Sequence, residues 1–342
     1  MRGVWIAVWF VLGMVGAIGG AVMGAGQETT GLPALHRSGV GKPAGAVGGL
    51  KVLDWAGFKS AVTYTFDDGL PSQIENYPKM HATGARMTFF VTTNGMNPAW
   101  GQMAKDGNEI ANHTAHHCHA NATGCAWGPY AGSLGAEYDE CTAFIKQNYG
   151  VSDVWTTASP YGDMGFDETA KTRFFLNRGV HGGMIAPDDD SDLYNLPIYG
   201  ASAGQTAKDF NPVIDASHVS GKWLIFMFHS LGGDGGYAPV DVADVVASIQ
   251  HAQQTGDVWI DSMVNVGAYW AGQKAVDSGK SEKRGKETIL TWTLPPHFPP
   301  GRSVRATVTG GTLEQGGKTL VWNVAGYYEV ALDAGELTIS RD

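Results

Sequence analysis

The stretch Thr65-Phe66-Asp67-Asp68-Gly69 decides how this chain is read. Ahead of it Val62, Tyr64 and Phe66 alternate with Ala61, Thr63 and Thr65, the period of a β-strand. Gly69 and Pro71 end that strand. Two carboxylates therefore stand side by side where a strand opens into a loop. Adjacent side chains on an extended chain point in different directions. The pair can divide two tasks at one site, one Asp holding a cation while its neighbour takes a proton. An isolated Asp-Asp-Gly is more often a solvated turn; the residues downstream reverse that balance.

Outward from this strand the chain alternates. A helix is expected over Ser72–Ala82, then a buried strand at Met87–Val91 and a short helix around Gln102–Lys105. Gly135–Gln147 reads as helix, Ser152–Thr157 as strand and Glu168–Leu176 as helix. Pro187–Asp192 is a polar, acidic loop. Trp223–Phe228 is almost continuously apolar, as a strand buried on both faces should be. A helix at Val240–Gln253, a strand at Val258–Ile260 and a helix at Ser262–Gln273 close the region. Strands alternating with helices argue for a parallel α/β sheet with right-handed crossovers. A closed barrel and an open doubly wound sheet both gather their chemistry at the C-terminal ends of the strands. Gly232-Gly233-Asp234-Gly235-Gly236 is a flexible loop and not a dinucleotide fingerprint.

Histidines cluster in His113-Thr114-Ala115-His116-His117, with His119 just beyond. At i and i+4 on a helical turn, His113 and His117 share one face and can reach one metal ion. His116, at i+3, is the rival second ligand. Two His and one Asp form a three-ligand set that leaves positions open for water and substrate.

These residues resemble the polysaccharide deacetylase family, also called the NodB-homology domain or carbohydrate esterase family four. Thr65-Phe66-Asp67-Asp68-Gly69 is identical to its first motif, and His113-Thr114-Ala115-His116-His117 fits its second, H-[S/T]-x-x-H. Met227-Phe228-His229-Ser230 resembles its late motif, an apolar strand ending in His. The resemblance spans about Val52 to Trp270. It implies an irregular (β/α) barrel of the NodB-homology type. It also implies roles: Asp67 as general base; Asp68, His113 and His117 as ligands of a divalent ion; His229 as general acid. The ion is zinc in most members, with cobalt, nickel or iron as alternatives. It lowers the pKa of a bound water to roughly 7.

The chain departs from the family at the third motif, Arg-x-Pro-Tyr/Phe-Gly. Here the residues are Ala158-Ser159-Pro160-Tyr161-Gly162. Tyr161 keeps the backbone N–H that the resemblance assigns to the oxyanion, but Ala158 stands where the arginine that braces the base would be. Asp67 is then expected to lose a cationic neighbour and to have a raised pKa unless another group substitutes. The Asp that orients the acid His is not evident; Asp188, Asp189, Asp190 and Asp192 are candidates. The sequon Asn112-His113-Thr114 reads as incidental.

The whole chain has 342 residues and a formal net charge of −10. That charge argues against a nucleic-acid partner. Arg2 and the uncharged run Gly3–Gln27 read as a signal peptide over residues 1–25. The protein is then secreted or periplasmic, with no stable membrane insertion after cleavage. Residues 26–50 read as a linker or N-terminal arm, 51–275 as the catalytic domain, and 276–286 as a charged linker. Residues 287–342 read as a small β-rich C-terminal domain packed on the barrel. Trp292, Trp322, Tyr327 and Tyr328 are candidates for a sugar-stacking face, with core packing the commoner fate. Of Cys118, Cys125 and Cys141, one must stay unpaired and three pairings are open. The expected activity is metal-dependent removal of acetyl groups from an N-acetylated carbohydrate. An O-acetyl esterase of the acetylxylan type and a carbohydrate-binding protein with a decayed site are the alternatives.

Overall fold

The computed structural model describes residues 31–341. The expected signal peptide and the first residues of the arm lie outside them. The elements that build the site are strands β1 (Lys51–Val52), β2 (Ser60–Phe66), β3 (Thr88–Val91), β4 (Glu109–Asn112), β5 (Thr156–Ala158), β6 (Leu176–Gly182), β7 (Leu196–Gly200), β8 (Trp223–Phe228) and β9 (Val258–Ile260). Helices α1 (Pro71–His81), α2 (Ala99–Lys105), α3 (Leu134–Tyr149), α4 (Asp167–Ala170), α5 (Ala207–Ser220), α6 (Val242–Gln254) and α7 (Met263–Asp277) connect them. β2 to β8 pair in parallel in chain order, and β8 also pairs with β2, so seven strands close a ring. β9 adds to the outside of β2. This is the irregular (β/α) barrel. Its irregularity lies between β5 and β7, where α4 is a single turn and β6 runs on to β7 with no helix between.

Period-two alternation on β2 sorts its side chains. Val62, Tyr64 and Phe66 face outward into an apolar cluster with Met80 of α1, Phe210 of α5 and Val245 and Ile249 of α6. Ala61 belongs to a second cluster with Phe90, Ala111, Ala158 and Ile225. All seven residues of β2 are buried. The threonines are tolerated because they are bonded: Thr65 Oγ1 donates to Phe226 O at 2.7 Å, and Trp223 Nε1 donates to Thr63 Oγ1 at 3.0 Å.

The expected helix over Glu168–Leu176 is corrected. It stops at Ala170, and Leu176 opens β6. Helical spacing in Phe174-Phe175-Leu176 is indistinguishable from the start of a buried strand. The expected linker 276–286 is also corrected. Helix α7 runs to Asp277, and β10 (Lys280–Arg284) pairs antiparallel with β11 (Glu287–Thr291). All five residues of β10 are exposed, which is why their charges read as a linker. Further strands β12 (Ser303–Thr307), β13 (Gly311–Gln315), β14 (Lys318–Thr319), β15 (Tyr328–Ala331) and β16 (Glu336–Arg341) complete the tail. β1 joins β12 and β15 in one sheet; β10, β11, β16, β13 and β14 form the other.

Residues 32–342 form one compact unit. The tail shares its core with the barrel: Leu290, Trp292, Val304 and Val330 fall in the same buried cluster as Trp223, Ile225 and Trp270. Trp292, Tyr327 and Tyr328 are buried and Trp322 packs against that cluster, so these aromatics form no exposed stacking face. The arm lies along the tail through Val40 N–H to Val324 O (2.9 Å) and Gly48 N–H to Thr309 O (3.0 Å). No helix among the described residues is long and apolar enough to cross a membrane.

Candidate active site

The site forms where β2, β4, β5, β6 and β8 end. Asp67 N–H donates to Phe228 O at 2.9 Å, extending the β2–β8 ladder by one residue. Gln73 on α1 donates to Asp67 O (2.6 Å) and His229 O (3.0 Å), tying together the two loops that carry the base and acid candidates. Asp68 then turns with φ 76° and Gly69 with φ 66°.

His113 leaves β4 with its N–H bonded to Val91 O at 3.0 Å. Its Nδ1 lies 2.9 Å from Ala158 O. A carbonyl only accepts, so Nδ1 carries a proton and Nε2 is the nitrogen left to face an ion. Burial lowers the His113 pKa, but Asp68 and Asp67 outweigh it and raise it, so binding an ion would displace any proton on Nε2. That Nε2 stands 3.4 Å from Asp68 Oδ1. His117 Nε2 stands at the same 3.4 Å from Asp68 Oδ1. The stretch is not the helical turn expected from its spacing. Thr114 and His117 take φ of 64° and 51°, and the Thr114 hydroxyl accepts from His117 N–H at 3.1 Å. His116 turns away, its Nδ1 3.0 Å from Glu137 Oε1 and its N–H donating to Glu137 Oε2 at 2.9 Å. Ligand atoms of Asp68, His113 and His117 lie within 4.8 Å of one another. Asp68 Oδ1 is buried without a hydrogen-bond partner. A buried carboxylate oxygen facing two imidazole nitrogens is a cradle for a cation. Burial raises the Asp68 carboxyl, but His113, His229 and His117 outweigh it and hold it at about 2. Burial depresses His117 to about 4. An ionised carboxylate and a neutral imidazole are the states a divalent ion requires, so the donor set fits one.

Asp67 does not lose its cation. Arg178 of β6, fully buried, pairs with Asp67 Oδ2. Ala158 of β5 is the register partner of Arg178 on β6. The guanidinium thus enters from the neighbouring strand at the level where the family arginine would have stood. It also lies over the Phe90 ring, 5.3 Å from the centroid, and Nη1 donates to Gly179 O at 3.1 Å. The expectation of a raised Asp67 pKa is overturned. Burial raises it, but Arg178, His113 and His229 outweigh burial and the net shift is downward. Sequence reasoning missed Arg178 because it assigned no element between the expected helix ending at Leu176 and the loop from Pro187, where β6 runs. The available signal was one cation in line with Leu176 and Val180 at strand spacing.

His229 follows β8 with Nε2 3.7 Å from Asp67 Oδ2. Its ring meets the Tyr237 ring edge-on at 4.9 Å. Its Nδ1 is buried with no hydrogen-bond partner among the described residues. The acidic loop supplies none: Asp189 accepts from Ala186 and Ser191 N–H, Asp190 faces Lys274, and Asp192 accepts from Tyr194 N–H. Burial lowers the His229 pKa, against the pull of Asp67 and Asp68.

Tyr161 sits on a tight turn at φ 58°. The turn's hydrogen bonds run from Gly162 N–H to Ser159 O and from Asp163 N–H to Pro160 O, so the Tyr161 N–H takes part in neither. Asp67, Asp68, His113, His117, Tyr161 and His229 all line one cavity of about 540 Å³, with Val180, Met227 and Tyr237 at its walls. Cys118 is bonded to Cys125, and Cys141 is free and buried. Asn112 is fully buried and donates to Tyr138 O and Thr142 Oγ1, which leaves no place for a glycan on the sequon.

Residues 57–174 match the polysaccharide deacetylase family model. No curated protein matches the sequence. Among solved structures, a putative polysaccharide deacetylase from Mycobacterium smegmatis is 15% identical, covering 70% of this chain and 96% of that one, with a TM-score of 0.49. The family 4 carbohydrate esterase from Streptomyces lividans is also 15% identical, covering 61% and 95%, with a TM-score of 0.40. The Xyl-CE4 domain of a multidomain xylanase from the hindgut metagenome of Trinervitermes trinervoides is 17% identical, covering 60% and 89%, at 0.43. The family match ends short of Arg178 and His229. The segment it does cover, similar to polysaccharide deacetylases, holds the carboxylate pair and the three candidate ligands.

Proposed function

We propose that this chain is an exported, divalent-metal-dependent hydrolase that removes acetyl groups from an N-acetylated polysaccharide or oligosaccharide. One observation carries the reading. Three metal-type donors, a cation-paired carboxylate and a half-buried imidazole converge on one cavity. Asp68, His113 and His117 would hold the ion, zinc by preference of an Asp/His set, with cobalt, nickel or iron as alternatives. When bound, the ion supplies an acidified water and polarises the acetyl carbonyl.

The chain's own residues do the rest. Asp67, held ionised by Arg178, accepts a proton from the attacking water at its carboxylate. The Tyr161 N–H donates to the oxygen on which negative charge develops. His229 Nε2 gives a proton to the departing nitrogen, which is a poor leaving group without it. Val180, Met227 and Tyr237 form the apolar walls against which the acetyl group would lie. The Cys118–Cys125 disulfide supports export, since such bonds persist in oxidising compartments.

One observation favours the O-acetyl esterase reading: among the described residues none bonds to His229 Nδ1 to orient it. Alcohols leave more readily than amines and need less from the acid. Acetate release from zinc-loaded protein tests both, with chitin oligomers against acetylated xylan as substrates and Asp67→Asn as the control. Release from chitin oligomers supports the deacetylase; release from xylan alone supports the esterase. Release from neither, with a glycan still bound, supports a binding protein.

A further inference from the structure

Tyr161 presents a mechanical problem. Its N–H is useful only if the turn stays where it is, yet the side chain is 48% exposed and the backbone sits at φ 58°. A non-glycine residue in that region costs of order 1–3 kcal/mol and persists only where its surroundings impose it. The barrel holds the turn from one side: Asn177 of β6 donates to Ser159 Oγ at 2.9 Å, Gly162 lies against Val180 of β6, and the Tyr161 ring meets the His117 ring edge-on at 4.5 Å. The exposed side is held by the loop 118–125.

Four contacts close on the turn. The Tyr161 hydroxyl donates to Gly124 O at 2.8 Å. The Tyr161 ring stacks on the His119 imidazole, with centroids 3.7 Å apart and planes 17° from parallel. His119 Nδ1 lies 2.9 Å from Asp163 Oδ2, two residues beyond Tyr161. Ala120 N–H donates to that same oxygen at 3.0 Å. His119 therefore grips the turn from both ends. The grip is itself braced. Cys118 and Cys125 are disulfide-bonded, and His119 N–H donates to Thr123 O at 2.8 Å. Gly124 leaves the space His119 uses: a Cβ there would stand 2.8 Å from its Cδ2.

We propose that the disulfide-closed loop 118–125 is a positioning clamp on Tyr161, with His119 as its jaw. Neither His119 nor the loop touches the reacting atoms; they act through the Tyr161 N–H. This rests on the deacetylase reading. A donor aimed at charge that appears only in the transition state serves turnover and not ground-state affinity. Loosening the clamp should therefore lower kcat and leave KM nearly unchanged.

The test uses the full-length, zinc-loaded protein with chitin oligomers, and four variants: His119→Ala, His119→Phe, His119→Asn and the paired Cys118→Ser/Cys125→Ser. Hydrogen exchange of the peptide containing residues 159–163 is read without substrate. His119→Ala and the cysteine pair should speed that exchange and lower kcat by roughly 10- to 100-fold, the scale of a misplacement near 1 Å, with KM within about threefold. His119→Phe keeps a ring against Tyr161, and His119→Asn keeps a hydrogen bond to Asp163. Each should recover part of both signals. Unchanged exchange in His119→Ala overturns the clamp. So does faster exchange with unchanged kcat, or a rise in KM alone, which would make the loop a substrate contact. If the parent protein releases no acetate, the deacetylase reading falls, and the exchange data alone decide whether the loop holds the turn.

Discussion

Replacing Arg178 tests the reasoning about the site most directly. In the metal-free protein its guanidinium is the strongest favourable charge acting on the buried Asp67 carboxylate. Removing one partner of a buried pair leaves the other uncompensated and costs about 3–5 kcal/mol. Arg178→Met, which keeps most of the volume, should lose that much at pH 7 in urea melts with chelator present. Asp67→Asn with Arg178→Met removes both charges and should return to within about 1 kcal/mol of the parent, since apolar replacement of a whole pair is often neutral. The pH sign follows from the downward shift of Asp67. Its contribution is complete above the unfolded value of about 3.9 and is lost as pH falls through the lower folded value. The gap between parent and Arg178→Met should thus be widest near neutrality and narrow below about pH 4. Ala158→Arg in the Arg178→Ala background should recover stability and turnover, because the two positions are register partners on adjacent strands. A loss under about 1 kcal/mol at pH 7, or a gap that does not narrow in acid, would show that Arg178 does not pair with Asp67 and would sink the argument.

Four further outcomes follow from the geometry. Asp68→Ala, His113→Ala and His117→Ala should each weaken zinc binding at least 100-fold in competition titrations with a chelator, a large effect expected from losing one of three ligands. His116→Ala should bind zinc normally and melt lower, because it strips Glu137 of a partner. Deleting 280–342 should leave no cooperative melt. Leu290, Trp292, Val304 and Val330 share the barrel's buried cluster, and each such side chain is worth roughly 1.5–3 kcal/mol of burial; a folded, monomeric truncation would refute the shared core. His229→Ala should slow acetate release from an amide more than from an ester, measured on matched N- and O-acetyl substrates, because only the nitrogen depends heavily on protonation.

The barrel was legible because its strands are short apolar runs separated by glycine and proline, as at β2, β3 and β8. The candidate metal ligands could be singled out because they fall in two compact segments, 67–68 and 113–117, although the backbone of the second is not the helix that i, i+4 spacing suggested. Arg178 was not legible. Its role depends on the pairing of β5 with β6, a contact that no local pattern encodes. The tail was legible as strands but not as part of the core, since shared burial of Trp292 and Trp270 appears only once the two segments pack. The acidic loop at 187–192 attracted attention by composition alone and turned out to satisfy its own backbone and Lys274.

Backbone strain gathers around the site without being confined to it, since Trp55, Ala56 and His297 of the scaffold also have positive φ. Among the described residues, nine that are not glycine have positive φ. Asp68, Thr114, His117 and Tyr161 line the cavity or shape it, Ala122 lies in the disulfide loop, and Ala238 follows Tyr237. Strain of this kind costs of order 1–3 kcal/mol per residue and must be offset by structure that does not move. Here that structure is the closed strand ring and the tail sealed onto it, with the fully buried Trp55, Trp223, Trp259 and Trp270 among its largest side chains. The same rigidity lets a cation cross from the β5 position to the β6 position without moving the carboxylate it serves. Both strands are held in register by the sheet, and only the side chain that reaches Asp67 differs. Asp67 thus keeps a buried cation although Ala158 stands where the resemblance placed one.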